Sequence, residues 1–247
     1  MRKLLRAELL KQRSTRTVAG LFGTMMGLVS LAVVLHGLLP VRDLSDRLTQ
    51  LMVLGRGEVL GALFAGLLGA MSITAEVRHG TIRPTFLVTP RRERVVGSKV
   101  LVCIVFGAAF GLCAGGLAVG VGSAVLEVRG VERLLDVGDL VTLIVGSMAA
   151  AALWAAIGVG VGAVVRNQVP ALVGICAWLL FIEGLLAGDL LGLGTVGRFL
   201  PGMAASAISG QEPDTLLDPV SGLALLMLYA AMAWVAGAIA ISRHDVE

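Results

Sequence analysis

Residues able to do chemistry are scarce in this chain, and most of them gather around one turn. Between Glu76 and Arg94 the sequence reads EVRHGTIRPTFLVTPRRER, and six Lys and Arg residues fall from Arg78 to Lys99. These residue types support ion pairing and docking rather than bond making. Glu76 falls in the last turn of an apolar segment, where the helix dipole disfavours a carboxylate by roughly 0.3–1 kcal/mol. A cation from Arg78, Arg83 or Lys99 would offset that cost. Gly80 can end the helix in a left-handed cap, and Thr81 can N-cap a short new helix with Pro84 in its first turn, where proline costs little. Phe86 and Leu87 would then lie exposed, which is unfavourable unless a partner buries them. Thr89 and Pro90 restart a helix as N-cap and first residue, and Arg91, Arg92 and Arg94 reach the lipid headgroups. Topological anchoring accounts for part of the arginines; a docking element accounts for the separate helix with its apolar pair.

Catalysis finds little support. The chain has no GxxxxGK[ST], and Gly97-Ser98-Lys99 has the wrong order and opens an apolar segment. Ser209-Gly210-Gln211-Glu212 has only a chance likeness to an ATPase signature. His36, His79 and His244 are scattered, with no HExxH. Cys103, Cys113 and Cys176 lie in apolar runs without CxxC, so they read as small packing residues rather than metal ligands or a disulfide framework. No catalytic set, metal site or cofactor site is expected on this chain. One ionisable residue, Glu183, lies well inside an apolar segment. It is the candidate for a translocation path; the plainer alternative is a carboxylate near the aqueous boundary, hydrogen-bonded to backbone. A carrier driven by ion coupling would need more such groups.

The elements that must position these residues are membrane helices. Hydrophobic residues make up 57% of the 247, mean hydropathy is +0.91 and charged residues are only 15%, against about 25% in soluble domains. The 33 glycines favour closely packed helices, and the alternating pattern of a barrel is absent. The expected fold is an all-α integral membrane protein, a single domain over 1–247. Six spans are expected at 18–39, 58–75, 95–126, 140–165, 169–186 and 220–241, where a bilayer requires about 20 residues; the second is short unless Leu51 to Leu54 join it, and the third is long enough to tilt or to begin as an interfacial helix. An even count returns both termini to one side. That side then holds 14 of the 20 Lys and Arg residues, which predicts that the termini and the 76–94 hairpin are cytoplasmic.

Residues 1–16 carry six Lys and Arg, and Met1, Leu5 and Leu9 share a helical face that Glu8 interrupts. This predicts an interfacial helix. The apolar run that follows is too long for a cleaved signal. The outer segment 187–219 is apolar enough to dip back into the bundle if protein covers its backbone. Glycine and alanine recur at four-residue spacing at Gly61, Ala65 and Gly69, at Gly107, Gly111 and Gly115, and at Gly158 and Gly162. Such stripes serve packing within one bundle or a subunit interface.

Taken together, Glu76, Gly80-Thr81, Pro90-Arg91 and Lys99 at these positions, with the basic arm and six spans, resemble the membrane subunit of an ABC-2-type transporter over the whole length. The resemblance implies a bacterial cytoplasmic-membrane permease that pairs with a second copy or a related permease. It would contact a separate cytosolic ABC ATPase, on which ATP and Mg would bind. It also implies that 80–89 is a coupling helix anchored by Phe86 and Leu87, with Glu76 and Arg91 fixing the hairpin base and residues 1–16 forming a connecting helix. Pro84 departs from the family's commoner residue there. The implied function is ATP-driven export of an amphipathic drug, antibiotic, peptide or lipid. The alternatives are an ABC-type subunit in cofactor or cytochrome assembly, and a stand-alone ion-coupled carrier or intramembrane enzyme. A nucleic-acid partner is not expected.

Overall fold

The computed structural model describes residues 2–39, 44–80, 92–187, 194–211 and 216–243, and every regular element among them is helical. Helix α1 (Arg2–Ser14) precedes α2 (Arg16–Leu38), a short α3 (Arg47–Leu54) and α4 (Arg56–Arg78). Next come α5 (Arg92–Val128), α6 (Val137–Val165) and α7 (Gln168–Ala177). A π-helical turn, Trp178–Ile182, continues α7 into α8 (Glu183–Ala187). After α9 (Gly194–Gly197) and α10 (Pro201–Ile208), α11 (Pro219–Arg243) closes the bundle.

Six stretches are long and apolar enough to cross a membrane: Arg16–Leu38, Arg47–Arg78, Val95–Val128, Val137–Val165, Gln168–Ala187 and Pro219–Ser242. The protein is an all-α, multi-pass membrane protein. The second stretch is longer than its apolar core suggests, because α3 joins α4 end to end across Gly55. Asp46 starts it, its carboxylate accepting the Thr49 N–H at 3.1 Å. The fourth and fifth stretches part at Arg166, whose φ of 57° is left-handed, and at Asn167, whose side chain caps Val169 at 3.3 Å.

The centre of the bundle is α4 against α6, flanked by α5. These helices come close because their facing residues are small. A Cβ on Gly69 would run into the backbone at Ala155, and one on Gly158 into the carbonyl of Gly66. Gly107 and Gly111 face Ala151 and Ser147 in the same way, and Gly61 faces Gly111 and Ala114. The stripes seen in the sequence therefore pack within one chain. The outer helices are amphipathic by packing rather than polarity. On α2, Met25, Val29, Val33 and Gly37 turn inward at four-residue spacing, while Leu28, Leu31, Leu35 and Leu38 are exposed. Exposed leucine and valine on a membrane helix find lipid, so no polar face is needed.

At one end of the bundle α1 meets the end of α4 and the start of α5, and Arg166 donates to the Ala240 carbonyl, joining α6 to α11. At the far end Gln50, fully buried, ties three backbone groups: its amide donates to Leu44 and Glu132 carbonyls at 2.9 Å and its oxygen accepts from Leu134 N–H at 2.9 Å. Helix α10, within the apolar 187–219 segment, packs on α11, α6 and α4 with Ala204 and Ala205 fully buried.

Candidate functional site

Glu76 sits near the end of α4 with 4% of its surface exposed, and Lys99, early in α5, with 3%. A lone charge so placed costs several kcal/mol, so each must find a partner. The Lys99 ammonium lies 2.6 Å from Glu76 Oε1 and 3.0 Å from both carboxylate oxygens of Glu8. Lys11, one turn after Glu8, also donates to Glu76 Oε1. Two ammoniums thus face two carboxylates, and three elements (α1, α4 and α5) are tied at one point.

Position explains the assembly. Lys99 follows the start of α5 by two turns, so its side chain reaches back to the end of α4. Glu8 and Gln12 are the residues α1 turns inward, both buried, while Leu9 and Leu10 are exposed. Of the apolar face expected of an interfacial helix, Met1 lies outside the described residues, Leu5 is half-buried and Leu9 is exposed. Glu8, which interrupts that face, docks α1 on Lys99. Glu76 takes its cations from Lys99 and Lys11; Arg78, by contrast, points to Gln168 at 3.4 Å.

Gly80 follows with φ +66°, a left-handed turn that glycine adopts without strain, and His79 N–H closes on the Ala75 carbonyl at 3.0 Å. Thr81, Arg83, Phe86, Leu87, Pro90 and Arg91 lie outside the described residues. So does the coupling helix they were expected to form.

Glu183 lies far from the knot along the chain and belongs to a second polar cluster. It directly follows the π-helical turn, is 3% exposed, and accepts from the Trp178 indole N–H and from the Gly202 backbone N–H at 2.9 Å. It thereby caps the start of α10. Glu58, near the start of α4 and 1% exposed, accepts from Ser206 at 3.0 Å and Gln211 at 3.1 Å. The two buried carboxylates hold the two ends of α10. Glu58 was not legible as a site residue, because in sequence it stands at the edge of an apolar run. Its partners lie about 150 residues later, and no local spacing announces them.

Among the described residues no group of three His, Cys, Asp or Glu could hold a metal ion. The cysteines are free, with Cys103 buried. A cleft of about 410 Å³ opens beside the ion-pair knot, between α1, the start of α2 and α4. Comparison with known proteins gives no matching family model and no matching curated protein.

Proposed function

We propose that this chain is the membrane-spanning subunit of an ATP-driven exporter of the ABC-2 type. It would work in a bacterial cytoplasmic membrane with both termini inside, paired with a second permease and with a cytosolic ATPase. The observation that carries this reading is the four-residue ion knot. It joins α1, α4 and α5 at the base of the 76–94 hairpin, where a force applied to the hairpin would have to enter the bundle. A buried, charge-balanced knot suits that task. Removing Lys99 leaves the buried Glu8 and Glu76 short of a cation, so the three helices move together or pay the desolvation cost. Lone surface ion pairs would slip. The amphipathic nature of the cargo is supported by the apolar spans and by the few ionisable groups within them.

The test is capture of the ATPase. Tagged chain, extracted gently from its own host, is expected to bring down a soluble ATPase. The double variant Arg83→Glu, Phe86→Asp is expected to reach the membrane normally and lose that partner. ATPase capture undiminished by the double variant would show that the hairpin is not the docking element. Robust transport by the purified chain alone in liposomes, without ATP, would overturn the exporter assignment.

A further inference from the structure

We propose that the cleft beside the ion knot binds an amphipathic amine: a protonated amine on an apolar body, whose ammonium takes the place of Lys11 on Glu76. The cleft holds about 410 Å³, within the range of small-molecule sites. Val18, Leu21, Leu68 and Met71 supply its apolar walls, and Glu76 and Lys11 stand at its polar end. A carboxylate offers about four acceptor positions. Both ammoniums of the knot use Glu76 Oε1, and Oε2 is buried without a hydrogen-bond partner. Gln12, Thr15, Thr17, Ser72 and His79 also line the cleft, so beside its apolar walls stands a carboxylate whose hydrogen bonding is incomplete and whose contact with Lys11 an incoming ammonium can take over.

The two lysines are not equivalent. Lys99 is 3% exposed and fixed by two carboxylates, whereas the Lys11 side chain is 49% exposed and its ammonium holds only Glu76. A pair with one half-exposed partner contributes little, so Lys11 can turn to water. Glu76 then keeps Lys99, and an incoming ammonium restores two cations against two carboxylates. The ionisable groups around the site are Glu8, Lys11, Glu76, His79 and Lys99. A phosphate carried beside the incoming ammonium would be brought against Glu76, the carboxylate that lines the cleft. That argues for a free amine over the headgroup of phosphatidylethanolamine, which shares the ammonium but places a phosphate next to it. The site needs no ATPase, so its failure would leave the exporter assignment standing.

The experiment uses the full chain in nanodiscs of phosphatidylcholine and phosphatidylglycerol. The probe is dansylcadaverine, a primary amine on an apolar fluorophore, read by its fluorescence rise on entering an apolar site. The expected results are saturable binding, loss of binding by the N-acetylated probe, and loss in Val18→Trp, which fills the cleft. Glu76→Gln should weaken binding by about tenfold or more. Lys11→Ala should tighten it by about two- to fivefold, because a tethered competitor is gone. Both Val18→Trp and Lys11→Ala leave the buried Glu8–Lys99–Glu76 contacts in place, so they decide the matter even if Glu76→Gln does not fold. Weaker or unchanged binding in Lys11→Ala, equal binding of the acetylated probe, or loss of binding when phosphatidylethanolamine replaces phosphatidylcholine would each overturn the proposal. The last outcome would make the lipid the occupant.

Discussion

At the scale of single residues, the ion knot separates charges that look alike in sequence. Lys11 and Lys99 both contact Glu76, but only Lys99 is enclosed. Lys99→Met should therefore destabilise the extracted protein by about 3–5 kcal/mol, since it strands Glu8 and Glu76 in a buried position. Lys11→Met should cost about 1 kcal/mol or less, the range of exposed pairs. Thermal unfolding of the two variants in one detergent checks the ranking; equal losses would mean that Lys99 is no more enclosed than Lys11. Glu76 and Lys99 were legible in the sequence because they flank the basic hairpin with its Gly80-Thr81 and Thr89-Pro90 turn signals, which Glu58 lacks. Glu8 was legible only as a flaw in an apolar face. Helical periodicity gives the angle between residues on a helix, not which side the helix turns to its neighbours. The polar side won because Lys99 needed a partner more than Leu9 and Leu10 needed burial, lipid being available to both leucines.

At the scale of elements, close helix approach is set by glycines whose missing Cβ is filled by a neighbour's backbone. Gly158 meets the Gly66 carbonyl, while Gly116, on α5, has open space around it. Backbone cannot step aside as a flexible side chain can, so Gly158→Ala should separate α4 from α6 and cost about 1–3 kcal/mol or more. Gly116→Ala should be neutral or slightly stabilising, since alanine is the better helix former by about 1 kcal/mol. The measurement is the fraction of monodisperse protein recovered after a heating series, compared between the two variants. The stripes themselves were visible as four-residue spacing. Which helix faces which was not, because a stripe of small residues admits any close partner. The hold on α10 was invisible for a related reason: Glu58 and Glu183 act on Ser206, Gln211 and Gly202 across the bundle. The join of α3 to α4 was left open by the sequence, where 58–75 is short for a span unless Leu51 to Leu54 join it; they do, the chain running from α3 into α4 across Gly55.

At the scale of the whole molecule, the six spans put α1, the knot and the end of α11 at one end of the bundle and Gln50 with its loop at the other. Composition alone sufficed for that much, since 20-residue apolar runs have few alternatives. Orientation is a separate question, on which charge bears: most of the Lys and Arg residues belong to the knot's end, and the positive-inside rule then predicts a cytoplasmic position for that end. Single cysteines test it. Arg133→Cys lies on an exposed loop at the far end, whereas Arg13→Cys and His79→Cys are exposed beside the knot. The native cysteines lie within membrane helices, buried or half-buried, and an unmodified control measures their background. A membrane-impermeant maleimide is expected to label Arg133→Cys in intact cells, and the other two only after the membrane is opened. The reverse pattern would carry a large consequence. With the knot outside, no cytosolic ATPase could reach the hairpin, and the ABC assignment would fail whatever the sequence resemblance. The cleft and its paired charges would survive that result, but would then open to the exterior and draw their amine from there.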